Sequence, residues 1–309
     1  MCCLYGVIDY KRHFTQKQRI GVLTILSRAC EVRGDDATGI AYNHGNKLSI
    51  YKRPVAAHRM RFEIPKSATT VMGHTRLTTQ GDEKFNYNNH PFYGKTSREG
   101  FALAHNGVLY NDTNLRKSEH LPHTHIETDS YVAVQLIEKE NALGFESLKA
   151  MAEKLMGSFT MTVLDQWNNL YFIKGDNPMC IYHYPKLGFY LYASTEEILK
   201  DAIQKMQYCF GDPEQVVLRE GDLLKIDAKG NRSYSRFEPS FFGSYYSYRP
   251  IRYLSLTGPE KRQEYQQEYI AHLKRHANFY GFTDEDVDTL LANGYTTDDI
   301  EDLLYCGVI

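Results

Sequence analysis

Cys2 to Ile8 is an apolar run that ends where charge begins at Asp9, and it predicts a strand starting almost at the first residue. Residues 16–32 then set Ile20, Leu23, Ile25, Leu26 and Ala29 near helical spacing, and Arg33-Gly34 closes the helix they predict. From about 38 to 110 the texture changes to short apolar runs, TGIAY, LSIYKRP, TTVMGHTRL and FALAHNGVLY, separated by Gly, Asn and Pro as in a sheet. Asp129 to Glu138 and Ser147 to Met156 read as amphipathic helices, with Thr128 or Asp129 as a cap for the first. Strands are predicted again at 159–165, 169–175, 180–184 and 189–194. A helix opened by Ser194-Thr195-Glu196-Glu197 follows, and then a strand pair around Glu220-Gly221. Strands, helices, strands and a helix in that order predict an α+β fold of stacked sheets with helices outside.

The pattern breaks after this region. We expect a main domain over 2–238, a tyrosine-rich linker over 239–258 interrupted by Gly243 and Pro250, and a helical, acidic appendage over 259–309. The appendage contains a weak repeat. Gly281-Phe282-Thr283-Asp284-Glu285-Asp286-Val287 is echoed by Gly294-Tyr295-Thr296-Thr297-Asp298-Asp299-Ile300, and each copy places Thr and Asp at the cap and third positions of a short helix. Residues 281–309 hold eight acidic residues and no Lys or Arg, so the helices could dock on a partner or cover an edge of this protein's own sheet.

Composition narrows the function classes. With 309 residues and 42% apolar content the chain can bury a large core. Its net charge of −2 offers no field for collecting nucleic acid or anionic membrane. No window approaches a membrane-spanning length and no basic, apolar leader opens the chain, so a cytoplasmic protein is expected. The cysteines at 2, 3, 30, 180, 209 and 306 have no C-x-x-C spacing, and no His pair has ligand spacing, so neither a metal nor another cofactor is expected.

Candidate chemistry starts at Cys2. Removal of Met1 would leave a thiol beside a free α-amine, and their ordinary pKa values of about 8.5 and 8 suit proton exchange near neutral pH. One residue could then supply both nucleophile and base. Four segments follow in order: Arg33-Gly34-Asp35-Asp36-Ala37-Thr38-Gly39-Ile40, Gly73-His74-Thr75-Arg76-Leu77-Thr78-Thr79-Gln80-Gly81, Ala104-His105-Asn106-Gly107 and Glu127-Thr128-Asp129-Ser130. Asn106 and Gly107 offer a side-chain amide and a backbone N–H to an oxyanion, although Asn-Gly is also a hairpin-turn signal. Arg76 can bind a carboxylate through two donors and Asp129 can hold an ammonium, but a surface ion pair and a helix cap are their ordinary explanations.

The ordered set resembles the class II glutamine amidotransferases, over residues 2 to about 235, with Gly157-Ser158-Phe159, Asn177-Pro178-Met179-Cys180-Ile181 and Tyr192-Ala193-Ser194 adding to it. The resemblance implies a four-layer αββα sandwich of N-terminal nucleophile hydrolase type. It implies that Cys2 hydrolyses glutamine, that Asn106 and Gly107 form the oxyanion hole, and that Arg76, Leu77, Thr79 and Asp129 bind the substrate. Arg33 matches an arginine that supports the N-terminal residue, while His74 and His105 fall at structural positions of the motifs. Asp35-Asp36-Ala37 and Thr79-Gln80-Gly81 resemble the purine-biosynthetic amidophosphoribosyltransferase branch more than the sugar-phosphate branch, which has a serine at Ala37 and an aromatic at Leu77. Cys3 departs from a usual glycine and is expected to crowd the backbone near the oxyanion.

The residues after 238 carry none of the synthase signatures of that family, so L-glutamine and an ammonia-accepting partner enzyme are the expected partners. A homo-oligomer stays open. Two rival readings remain: a hydrolase of another γ-glutamyl or N-acyl amide, and a non-catalytic glutamine-binding regulatory protein.

Overall fold

The structure is a computed structural model that describes residues 2–45, 47–239, Ile270, Lys274, Ala277, 282–295 and Ile300. The first strand, β1 (Cys3–Ile8), is buried along its whole length. Its alternation sends Cys3, Tyr5 and Val7 into one apolar layer and Leu4 and Ile8 into another. Two buried faces suit an interior strand, and β1 lies antiparallel between β4 (Thr70–Arg76) and β10 (Phe189–Ala193). With β2 (Ala37–His44), β3 (Lys47–Arg53), β9 (Cys180–Tyr184) and β11 (Glu214–Gln215) they form a seven-stranded sheet, ordered β11-β9-β10-β1-β4-β2-β3.

The second sheet has six strands, ordered β13-β12-β8-β7-β6-β5. Its members are β5 (Phe92–Lys95), β6 (Gly100–Leu109), β7 (Gly157–Asp165), β8 (Leu170–Lys174), β12 (Asp222–Ile226) and β13 (Arg232–Arg236). Leu4, Ile8 and Met72 meet Ala102, Ala104, Leu164 and Phe172 between the two sheets. Helices α1 (Gln16–Cys30) and α5 (Glu196–Lys205) bury Val22, Leu23, Leu26, Ile198 and Leu199 against the outer face of the first sheet. Helices α3 (Tyr131–Glu140) and α4 (Phe145–Lys154) do the same for the second sheet with Val132, Leu136, Leu148 and Met151. This is the four-layer αββα order that the resemblance implied.

Local chemistry explains several boundaries. Thr15 opens α1 by accepting the Gln18 backbone N–H while the Gln18 side chain accepts the Thr15 N–H, and Thr195 opens α5 by accepting from Ile198 N–H. Three expectations need correction. Ser130 stands at the cap of α3 without a side-chain bond, so neither Thr128 nor Asp129 caps that helix. The strand pair expected around Glu220-Gly221 is instead β12 with β13, turned at 227–231, because the Asp227 carboxylate gathers the Lys229 and Asn231 N–H groups. Finally, β5 and the short α2 (Asp112–Ser118) were not predicted, since one is only four residues long and the other is nearly all polar.

The chain divides into two units, Met1–Tyr246 and Ser247–Ile309. In the second, α6 (Asp284–Ala292) has the predicted capping box, with Thr283 and Asp286 exchanging backbone N–H bonds, and Val287 is buried in a cluster with Ala277 and Ile300. The tyrosine-rich linker, most of the helix expected over 259–280 and the second half of the repeat lie outside the described residues.

Candidate active site

One register brings the site together. Cys3 pairs with Thr75 and Ala37 pairs with Arg76, so the start of β1 and the end of β4 lie side by side. Period-two alternation puts Cys2 on the Leu4 face and Arg76 on the Met72 face, and both faces look into the space between the sheets. There a narrow cavity, open to solvent, is lined by Cys2, Arg76, Leu77, Thr79 and Asp129 together with Gly107 from the opposite sheet.

The Cys2 thiol donates to the Leu77 carbonyl at 3.5 Å, and Arg33 Nε donates to the Cys2 carbonyl at 3.0 Å. Arg33 ends a 3-10 turn that follows α1, so the helix that covers the sheet also fixes the backbone of the candidate nucleophile. Burial pushes the thiol's pKa up, while the Leu77 backbone and nearby positive charge oppose the shift. A thiol in this state needs an adjacent base to become a nucleophile.

Arg76 is buried and has no carboxylate partner among the described residues, which removes the surface ion-pair explanation. It donates to Asn89 Oδ1 at 2.7 Å and to the Gln80 and Gly81 carbonyls at 2.6 and 2.8 Å. Those neutral acceptors fix the guanidinium plane and leave its net charge, with further N–H donors, available to a ligand. Asp129 is buried too: its Oδ2 accepts the Leu109 N–H at 2.6 Å and its Oδ1 accepts from Ser130 Oγ at 3.4 Å. Burial raises its pKa, and these hydrogen bonds and Arg76 pull the other way.

Asn106 and Gly107 lie inside β6, opposite Thr160 and Phe159, and are not a hairpin turn. Gly107 has φ 139°, and a Cβ there would stand 1.9 Å from the Ser158 carbonyl oxygen, so only glycine keeps this backbone and its N–H in place. Asn106 is fully buried but does not line the cavity: its amide nitrogen is 3.5 Å from Ser194 Oγ, and its amide oxygen has no partner among the described residues.

Cys3 does not crowd the oxyanion side. Its sulfur points into the layer under α1, 2.9 Å from the sulfur of Cys30, because neighbouring residues of a strand face opposite ways. The cavity also contains Gln80, His90, His105, Thr128 and Ser130, which the sequence reasoning did not assign to a site. His90 is the informative omission, a buried imidazole with both ring nitrogens unpartnered and its ring 4.2 Å from that of His74. Its only sequence signal was a histidine between asparagine and proline, which carries no chemistry alone. Among the described residues no group of three or more His, Cys, Asp or Glu could hold a metal ion.

Residues 74–201 match a family model described as a glutamine amidotransferase domain. A glutamine–fructose-6-phosphate aminotransferase from Listeria innocua is 34% identical over 169 residues, covering 52% of this chain and 28% of the relative. Its counterpart from Streptococcus pyogenes is 29% identical over 242 residues, covering 75% of this chain and 38% of the relative. The chain thus spans well under half the length of the curated relatives it matches. The solved glutamine phosphoribosylpyrophosphate amidotransferase from B. subtilis superposes with TM-score 0.58 at 19% identity, covering 77% of this chain and 49% of that one. A structure of the allosteric regulatory enzyme of purine biosynthesis gives 0.60 at 18% identity, with the same coverage of 77% and 49%. At these identities the solved structures establish the shared fold, and the sequence match shows that residues 74–201 are similar to a glutamine amidotransferase domain.

Proposed function

We propose, for a chain that carries a glutamine amidotransferase domain, that Cys2 hydrolyses the side-chain amide of L-glutamine to glutamate and ammonia. One observation carries the reading: a single cavity gathers a thiol, a guanidinium and a carboxylate, the last two being the charges that complement the α-carboxylate and α-ammonium of a free amino acid. A large N-acyl substrate would have no use for that pair.

With Met1 removed, the α-amine of Cys2 takes the thiol proton and the sulfur attacks the amide carbon. Negative charge develops on the amide oxygen, where the Gly107 N–H and the Asn106 amide are the donors. The C–N bond breaks, the α-ammonium returns its proton to the departing nitrogen, and ammonia leaves a thioester. Water then adds to the thioester, releasing glutamate and the thiol. Arg76 and Asp129 hold the head group, Thr79 and Leu77 line its pocket, and Arg33 holds the Cys2 carbonyl. We assign the ammonia to an acceptor on a partner synthase. We also propose the main domain to be 2–238, the linker 239–258 and the appendage 259–309, in a cytoplasmic protein. Among the described residues no helix is long and apolar enough to cross a membrane.

The test is the intact mass of the purified chain before and after a diazo-ketone analogue of glutamine, with the adduct mapped. Loss of Met1 and one adduct on Cys2, prevented by excess glutamine, is the expected result. A retained Met1, or an unlabelled Cys2 in folded protein, would overturn the reading.

A further inference from the structure

Ser194 follows directly on β10 and is completely buried. Its Oγ accepts the Leu4 N–H at 2.9 Å, one residue beyond the Tyr5–Ala193 pair where the β1–β10 ladder stops. The same Oγ stands 3.5 Å from the Asn106 amide nitrogen on the opposite sheet. One hydroxyl therefore touches both the strand that follows the candidate nucleophile and the side chain expected to stabilise the oxyanion.

Hydrogen-bond accounting shows what this contact requires. A serine hydroxyl has one hydrogen to give and two lone pairs to receive. With the Leu4 N–H and the Asn106 amide both directed at it as donors, its own hydrogen finds only the neighbouring Cys3 sulfur, a weak acceptor. Meanwhile the Asn106 amide oxygen is buried with no partner. Leaving a buried acceptor unpaired is costly. A half-turn of the amide about its last bond, which hardly changes its shape, turns the oxygen to the Ser194 hydroxyl and makes the NH₂ the end without a partner among the described residues.

We propose that Ser194 is a positioning residue of the oxyanion site: its hydroxyl donates to Asn106 Oδ1, which frees the Asn106 NH₂ for the substrate oxygen, while Leu4 N–H anchors the hydroxyl to the strand of Cys2. The inference rests on the glutaminase reading and adds to it a residue that touches neither substrate nor thiol. Without Ser194 no hydrogen bond among the described residues selects which end of the amide serves the reaction, and an oxygen turned toward the developing oxyanion repels it.

The experiment compares the full chain with Ser194→Ala, Ser194→Thr and Ser194→Cys in glutamine hydrolysis. Three controls are read in parallel: alkylation of Cys2 by iodoacetamide, KM for glutamine, and inhibition by the γ-aldehyde of glutamate. That aldehyde forms a tetrahedral adduct in which the Cys2 sulfur bonds to carbon and the oxygen takes negative charge or the thiol proton. Ser194→Ala should lower kcat by roughly 10- to 100-fold and weaken the aldehyde by a similar factor, with KM and alkylation within about twofold of wild type. Ser194→Thr should recover most of the rate, and Ser194→Cys, a weaker donor, should fall between. If Ser194→Ala loses kcat, KM and alkylation together, or Ser194→Ala or Ser194→Cys turns over like wild type, Ser194 does not position the amide. Should Ser194→Ala not fold, the Ser194→Cys result decides. Wild-type protein that neither hydrolyses glutamine nor labels at Cys2 sinks the glutaminase reading itself, a result distinct from an active enzyme indifferent to Ser194.

Discussion

At the scale of residues, the site sets charge against burial. Asp129 is 3% exposed and burial raises its pKa, so burial disfavours its ionised form in the empty cavity, and the proposed substrate ammonium would favour it. Above the raised pKa the empty protein carries a carboxylate whose burial the Leu109 and Ser130 hydrogen bonds and Arg76 offset only in part, and a neutral amide at that position relieves the remainder. Asp129→Asn should therefore keep or gain thermal stability at pH 7 without ligand, while KM for glutamine rises about 30-fold or more, as the loss of a buried charge partner worth at least about 2 kcal/mol requires. Thermal melts and steady-state kinetics on the same preparation check both halves, and a variant that melts lower with KM unchanged would refute the assignment. Asp129 and Arg76 were legible in the sequence because a free amino acid demands opposite charges, and the motif order supplied them. The roles of His90 and Ser194 were not legible: His90 is singled out by its own unpaired nitrogens and Ser194 by the unpaired Asn106 oxygen beside it, and pairing exists only once strands distant in sequence face each other.

At the scale of elements, β1 is a buried strand that also supports the proposed nucleophile, Cys2. Its far end is held by Asp9, whose carboxylate accepts from the His13 and Phe14 N–H groups at 2.6 and 3.1 Å and pairs with Arg19 of α1 at 3.0 Å. Both side chains of that pair are almost fully buried. Removing one member leaves the other charge without compensation, which typically costs about 3–5 kcal/mol. Asp9→Ala should therefore lose about that much stability in a urea titration, with the Cys2 site disturbed only through the fraction unfolded; a loss under about 1 kcal/mol would show the pair to be dispensable. The elements themselves were largely readable because burial on two faces writes continuous apolar runs for β1, β9 and β10. Where the reading failed, the strand was short, as in β5, or its exposed face was polar, as in β13, so that pairing and not pattern decided the outcome.

At the scale of the whole molecule, the order of strands and helices announced two stacked sheets, but not which residues would fill the space between them at the cavity end. That space contains three buried imidazoles. His74 is held at about 3 and His105 at about 4, chiefly by burial, and His90 lies well below its ordinary value for the same reason, with Arg76 and Lys52 pushing His74 and His90 further down. None can be a general base poised near neutrality, which agrees with assigning that role to the α-amine of Cys2. Stability carries the consequence. In the unfolded chain each imidazole takes a proton near about pH 6.5, whereas the folded protein refuses it until far lower pH, so stability is complete above about 6.5 and falls as pH drops. Each histidine contributes a slope approaching 1.4 kcal/mol per pH unit in that window, and only Asp129, whose raised pKa favours the fold on acidification, opposes it locally. The urea midpoint should therefore fall steeply between pH 6.5 and 5. His90→Phe, which keeps the ring contacts to His74 and Phe92 at 4.2 and 4.4 Å, should fall less steeply, by up to about a third, because His183 is also held down by burial and adds to the remaining slope. Equal slopes for the two proteins would mean that His90 titrates in the folded state, and that the space between the sheets is wetter than its packing implies.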